Sequence, residues 1–184
     1  MKLLDMKLVR EGRFLKNYEL TYENKEGREK VFEMVSHSRM EAASQLGKRV
    51  SGMSIVVKHE GRLLLLKEFR MAVNSYVYNL CAGMIEAGET IEQAIERELY
   101  EETGLHVKKI VTILRPSYAA VGLSDIKNCI AFVEAEGVIA DHTSVNEDIK
   151  AGFYTKKEAL ELLLNEDFSS RAQIITYMFT LGAI

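Results

Sequence analysis

Thr90 and Gly104 bracket a helix whose length the sequence sets at both ends. Thr90 followed by Gln93 is a capping box. Ile91, Ala94, Ile95 and Leu99 recur at helical spacing, and Gly104 supplies the stop. On either side of this helix the hydrophobic period changes. Residues 53–57 and 63–67 are apolar runs around His59-Glu60-Gly61, a hairpin signal, and 76–82 reads as another short strand. After the helix, 107–114 and 126–133 read as strands, with a shorter one at 153–154. Thr155 with Glu158 then caps a second helix to about residue 164, and Ser170 with Gln173 caps a third to about residue 181. Strands that flank one central helix, with helices at the end, predict an α/β chain without the regular βαβ alternation of a doubly wound sheet.

Upstream of residue 46 the character is different. Residues 1–35 are β-rich: 13–22 alternates loosely, Asn24-Lys25-Glu26-Gly27 is a turn, and 29–35 alternates again. A lone hairpin is marginal, so this region needs a surface to lie on. Residues 36–50 are more polar and predict a connection or short helix. The division expected is a β-rich extension over 1–45 and a main domain over 46–184. With 184 residues, 47% of them hydrophobic, the chain can bury a full core.

Composition narrows the partners. The net charge is −3 and no Lys/Arg block occurs, which argues against a nucleic-acid surface. No apolar run reaches the roughly 20 residues of a membrane span. Cys81 and Cys129 lie in separate apolar runs without ligand spacing. They read as buried free thiols and place the chain in the reducing cytoplasm. The start, Met1-Lys2-Leu3-Leu4-Asp5-Met6, makes a poor signal peptide.

The chemistry is concentrated on the central helix. Glu98, Glu101 and Glu102 fall at i, i+3 and i+4, within an arc of about 100°. Such like-charge pairs repel by a few tenths of a kcal/mol each. Arg97 relieves part of this through Glu101, four residues on; the remainder calls for a cation. An all-oxygen carboxylate set is the preference of Mg²⁺, which also binds substrate phosphates. The plainer reading of three glutamates alone is a solvated acidic face. Gly83 and Gly88 let the preceding loop bend, and Glu89 ties that loop to the helix by reaching Arg97.

The full stretch decides between these readings. It runs Gly, five residues, Glu, seven residues, Arg-Glu, an aliphatic, any residue, Glu-Glu, any residue, Gly, an aliphatic. Gly83, Glu89, Arg97, Glu98, Leu99, Glu101, Glu102, Gly104 and Leu105 fill all nine fixed positions over 23 residues. This pattern resembles the Nudix box. The resemblance implies the Nudix α/β/α sandwich with a mixed sheet, here carrying an N-terminal β-rich extension. It also implies Glu98 and Glu102 as the main metal ligands, Glu101 as a further or shared ligand, and the Ala82 carbonyl beside them. The metal expected is Mg²⁺, with Mn²⁺ as the alternative.

The wider chain is similar, more weakly, to the ADP-ribose pyrophosphatase branch. That resemblance implies substrate contacts from Arg70, whose guanidinium suits a diphosphate, and from the loop opening Pro116-Ser117-Tyr118. It implies Glu147, in Asn146-Glu147-Asp148, as a catalytic base, with Asp148 or Asp141 as substitutes, or else a metal-bridging glutamate, Glu101 or Glu102, taking the proton. It further implies a homodimer formed through the N-terminal region, where Phe14, Tyr18, Tyr22 and Phe32 either stack on a base or pack their own domain. Three departures stand out. Ala119, Ala120 and Val121 replace a Pro-Gly core, Ile126 replaces a common Glu, and Asn79 stands where many relatives carry Glu. His37, His59, His106 and His142 show no ligand spacing.

The expected activity is metal-dependent hydrolysis of a nucleoside diphosphate linked to another group, foremost ADP-ribose to AMP and ribose 5-phosphate. The alternatives are other nucleotide sugars or dinucleotides, or a sensor without catalysis. The intact glutamate set argues against the last.

Overall fold

A computed structural model describes residues 1–184. In chain order the strands are β1 (Lys2–Glu11), β2 (Lys16–Glu23), β3 (Glu29–Ser36), β4 (Val50–His59), β5 (Arg62–Arg70), β6 (Ser75–Asn79) and β7 (Cys81–Met84). The central helix α1 (Ile91–Thr103) follows, then β8 (His106–Ile113), β9 (Ser117–Tyr118), β10 (Lys127–Glu136) and β11 (Ile149–Tyr154). Helices α2 (Lys156–Asn165) and α3 (Ser170–Thr180) close the chain. Two compact units emerge: Met1–Ser51 with Pro116–Cys129, and Gly52–Arg115 with Ile130–Ile184.

In the smaller unit β1, β2 and β3 form an antiparallel sheet in that order. The Asn24 Oδ1 accepts the N–H groups of Glu26 and Arg28, and Gly27 takes the left-handed conformation at φ 76°, closing the β2–β3 hairpin. Tyr18, Leu20, Met34 and Met40 are the core of this unit. Buried Tyr18 is satisfied: its hydroxyl accepts the Met40 N–H at 2.6 Å and donates to the Ser38 carbonyl. Strand β1 has no separate signal in the alternation of residues 1–35. The register skips Leu4, between Leu3 and Asp5, so the inward residues Leu3, Met6 and Leu8 lose strict alternation.

In the larger unit the sheet is mixed and runs β11-β5-β4-β10-β8, with β6 added to β5 and β7 to β4. Glu60 and Gly61 both have positive φ, 48° and 73°, which suits the tight β4–β5 turn read from the sequence. Leu63, Leu64, Leu65 and Leu66 are buried in succession, so both faces of the sheet are covered. Each such leucine contributes about 2 kcal/mol by burial. Leu63 and Leu65 pack with Ala159 of α2 and with Ala172 and Phe179 of α3. The pleat turns Leu64 and Leu66 to the other face, and α1 packs on β7 and β8.

The strand expected over 76–82 is two strands. Asn79 is buried, and its Oδ1 accepts the Leu80 N–H at 3.0 Å. That amide leaves the ladder, and the chain changes partners, from β5 before it to β4 after it. The third helix is capped one residue earlier than the spacing predicts. Ser169, not Ser170, accepts the Ala172 N–H.

Candidate active site

The site grows from α1. Its capping box forms as expected, Thr90 Oγ1 accepting from Gln93 N and Gln93 Oε1 from Thr90 N, and Gly104 closes the helix at φ 74°. Ala94, Ile95, Leu99 and Thr103 are buried. This anchors the helix so that Glu98 and Glu102 turn toward β7, while Glu101 is more exposed, at 53%.

Arg97 is the fastener of the loop. Its Nε and Nη2 grip Glu89 at 2.9 and 3.0 Å, and Nη2 also donates to the Met84 carbonyl at 2.9 Å. Its Nη1 reaches Glu98 at 2.8 Å and Glu101 at 3.1 Å. All five guanidinium donors are therefore engaged, and the side chain stays charged far above ordinary pH, chiefly through Glu89. Glu89 in turn accepts the Glu86 N–H and is held below the usual carboxylate range by Arg97. The pairing of Glu89 and Glu101 with Arg97 follows the sequence reading; the contacts to Glu98 and Met84 add to it.

Gly83 has a steric reason to be glycine. A Cβ there would overlap the Glu98 carboxyl group. Glu98, 14% exposed, is raised above the ordinary carboxylate range, first by burial and then by the charges of Glu101 and Glu147, against the pull of Arg97. Glu102 is pushed up to about 8, mainly by burial and further by Glu98 and Glu68. Its two donors are neutral: the Ala82 N–H at 3.0 Å and the Cys81 thiol.

A buried acid with neutral donors, crowded by other carboxylates, is the environment a hard divalent cation would relieve. The donor chemistry thus fits the metal expected here. Glu98, Glu102 and the Ala82 segment are brought together. Glu101 stands aside, paired to Arg97.

The remaining expected residues fall as follows. Arg70 ends β5 and pairs with Glu68 at 3.0 Å. Glu147 lies in the exposed turn before β11, its carboxylate accepting the Ser144 N–H, and its charge is felt at Glu98. The substitutes are otherwise engaged: Asp148 accepts the Tyr76 hydroxyl, and Asp141 accepts the N–H and hydroxyl of Thr143. Pro116, Ser117 and Tyr118 belong to the smaller unit, where Ser117 and Tyr118 pair with Asn128 and Lys127. Tyr118 lies 4.7 Å from the Lys127 ammonium and lines a cleft of about 250 Å³ with Tyr22, Phe32, Val121 and Asp125.

Three residues were not singled out from sequence. Cys81 read only as a buried thiol, yet it donates to Glu102. Tyr76 steadies the Glu147 turn through Asp148. Glu68, 12% exposed, accepts from Asn79 Nδ2 at 3.0 Å. The available signal for Glu68 was a lone acid at the end of an apolar strand.

The chain is similar to several known proteins. The chain is 26% identical over 177 residues to a putative nudix hydrolase 2 of Caenorhabditis elegans, covering 94% of this chain and 75% of that protein. It is 30% identical over 111 residues to an ADP-ribose pyrophosphatase of Bacillus subtilis, covering 59% of this chain and 60% of that one. A crystal structure of an ADP compounds hydrolase superposes with a TM-score of 0.74 at 20% identity, over 99% of this chain and 92% of that one, which shows the shared fold. The NUDIX domain model matches residues 48–175, a span holding the glycine bend, the Arg97 fastener and the glutamate helix, and the chain belongs to that family.

Proposed function

We propose that this protein hydrolyses the diphosphate bond of a nucleoside diphosphate joined to another group, with ADP-ribose, giving AMP and ribose 5-phosphate, as the leading substrate and Mg²⁺ as the metal. The observation that carries this reading is the buried Glu102 beside Glu98, without a cationic partner of its own. The similarity to the ADP-ribose pyrophosphatase of Bacillus subtilis supports the substrate class.

When bound, a divalent cation supplies charge neutralisation at the phosphoryl oxygens and makes water easier to deprotonate. Glu98 and Glu102 would hold it, with Glu101 as a further or shared ligand and the Ala82 carbonyl joining them. Arg70 hydrogen-bonds the diphosphate and fixes its approach. Water adds at one phosphorus as the bridging P–O bond breaks, and Glu147 accepts the water proton. Arg97, fully engaged within the fold, takes no part in binding. Pro116, Ser117 and Tyr118 contact the sugar end.

The Ala119-to-Val121 segment and Ile126 depart from the ADP-ribose pattern. This favours a second reading, in which other nucleotide sugars or dinucleotides are taken. The chain is further assigned to the cytoplasm, on its two free buried cysteines, and to a homodimer. The dimer face is the β1–β2–β3 sheet, which exposes Val9, Val31 and Phe32.

Phosphate-release assays over ADP-ribose, other nucleotide sugars and dinucleotides, with Mg²⁺ and then with EDTA, test the proposal. Turnover of ADP-ribose that EDTA abolishes is expected. Absence of metal-dependent turnover on every compound refutes it.

A further inference from the structure

Arg171 is a partly buried arginine without a partner. It lies in the first turn of α3, its Nε is enclosed, and no acceptor meets that N–H. Burial holds its guanidinium below the ordinary arginine range, and the charge of Arg70 pushes the same way; no carboxylate opposes them. Arg97, by contrast, has an acceptor for every donor.

Strand β6 fixes where Arg171 stands. The Ser169 N–H donates to the Tyr78 carbonyl at 3.0 Å, and the Tyr78 N–H to the Asp167 carbonyl at 2.7 Å. The Ser169 hydroxyl donates to Asn79 Oδ1 at 2.7 Å and accepts the Ala172 N–H. The start of α3 is thereby fastened where β6 passes into β7, just before Ala82.

The one carboxylate in these contacts is already taken. Asn79 Nδ2 donates to Glu68 Oε2 at 3.0 Å, and Glu68 Oε1 faces the Arg70 Nε at 3.0 Å. Ser169, Asn79, Glu68 and Arg70 so form one line of contacts, in which Glu68 answers Arg70 and nothing answers Arg171. An uncompensated buried charge destabilises a fold, and methionine would fill the space without that cost. A guanidinium kept in this state has donors ready for an outside anion, and its planar fork matches a phosphoryl group.

We propose that Arg171 is a phosphoryl-binding residue, which takes an oxygen of the substrate diphosphate alongside Arg70. This rests on the reading of Arg70 as a diphosphate contact. The fastening of α3 to Asn79 then does more than pack a helix: it presents Arg171 and, through Glu68, orients Arg70.

The test is calorimetric titration of the metal-free full chain with inorganic pyrophosphate in EDTA, with thermal melting and steady-state kinetics beside it. Wild type is expected to take up pyrophosphate, and Arg171→Met to bind it about 10-fold or more weakly. Without the anion, Arg171→Met is expected to melt no lower than wild type, because the unpaired charge is gone. On whichever compound turns over, Arg171→Met should raise KM more than it changes kcat. Equal pyrophosphate affinity in the two proteins, or no uptake by wild type, overturns the proposal. A lowered melting temperature with wild-type KM overturns it too, by making Arg171 a support for α3 alone. Should Arg171→Met fail to fold, Arg171→Gln is read in the same way. If wild type binds pyrophosphate but cleaves no compound in the panel, the substrate reading falls, and weakened binding in Arg171→Met still upholds phosphoryl binding here.

Discussion

The Glu98 carboxyl group occupies the space that a Cβ on Gly83 would fill. Bend and helix are therefore fitted to each other at a single point, and Gly83→Ala must push the carboxylate aside. A displacement of about 1 Å at a reacting centre costs on the order of 100-fold in rate. We expect Gly83→Ala to lose activity on that scale and to bind Mn²⁺ more weakly, with its circular dichroism preserved. Wild-type turnover would show that Glu98 can move without consequence.

Arg97 is mostly buried and saturated with acceptors. Removing it leaves Glu89 and Glu98 without their cationic partner and frees the loop carbonyl of Met84. Arg97→Ala should lower the urea midpoint accordingly, with faster hydrogen exchange over residues 84–89. Lysine keeps the charge but not the two-pronged grip on Glu89, so Arg97→Lys should recover less than half the loss. Equal midpoints for wild type and Arg97→Ala would contradict the arrangement.

Glu102 gives a pH signature in metal-free protein. Its carboxyl sits near 8 in the fold, against an ordinary value of 4.5. Between those values the folded state holds a proton that the unfolded state has lost, so stability falls as pH rises through this window and levels off above about 8. Melting curves with EDTA should show this decline, and Glu102→Gln should flatten it. A cation binds the ionised form, so saturating Mg²⁺ should raise the melting temperature most at the alkaline end. A pH-independent difference between wild type and Glu102→Gln would remove burial as the cause.

Chemistry and binding should separate by residue. Glu98→Gln and Glu102→Gln are each expected to cut kcat by orders of magnitude in folded protein. Glu147→Gln should lower kcat more than it changes KM, and Arg70→Ala should mainly raise KM. Steady-state kinetics on whichever compound turns over decides each case. An unchanged kcat in Glu147→Gln excludes it as the proton acceptor.

The parts legible in the sequence were those set by near neighbours. Thr90, Gln93 and Gly104 define α1 within one short stretch, and Glu60-Gly61 defines the hairpin at its turn. The Arg97 pairings with Glu89 and Glu101 were readable for the same reason. What escaped depends on distant partners or broken periods. The skip at Leu4 hid β1, and the Asn79 side chain split one strand in two. Glu68 gains its meaning from Asn79 and Ser169, the latter about a hundred positions later, and no spacing rule links them.

Because every donor of Arg97 is committed inside the protein, the brace has no N–H left over to read a ligand. Identity of the leaving group has to be written into other residues. Under the proposed function, substitutions at those positions would alter which conjugate is taken and leave the Arg97 brace as it is.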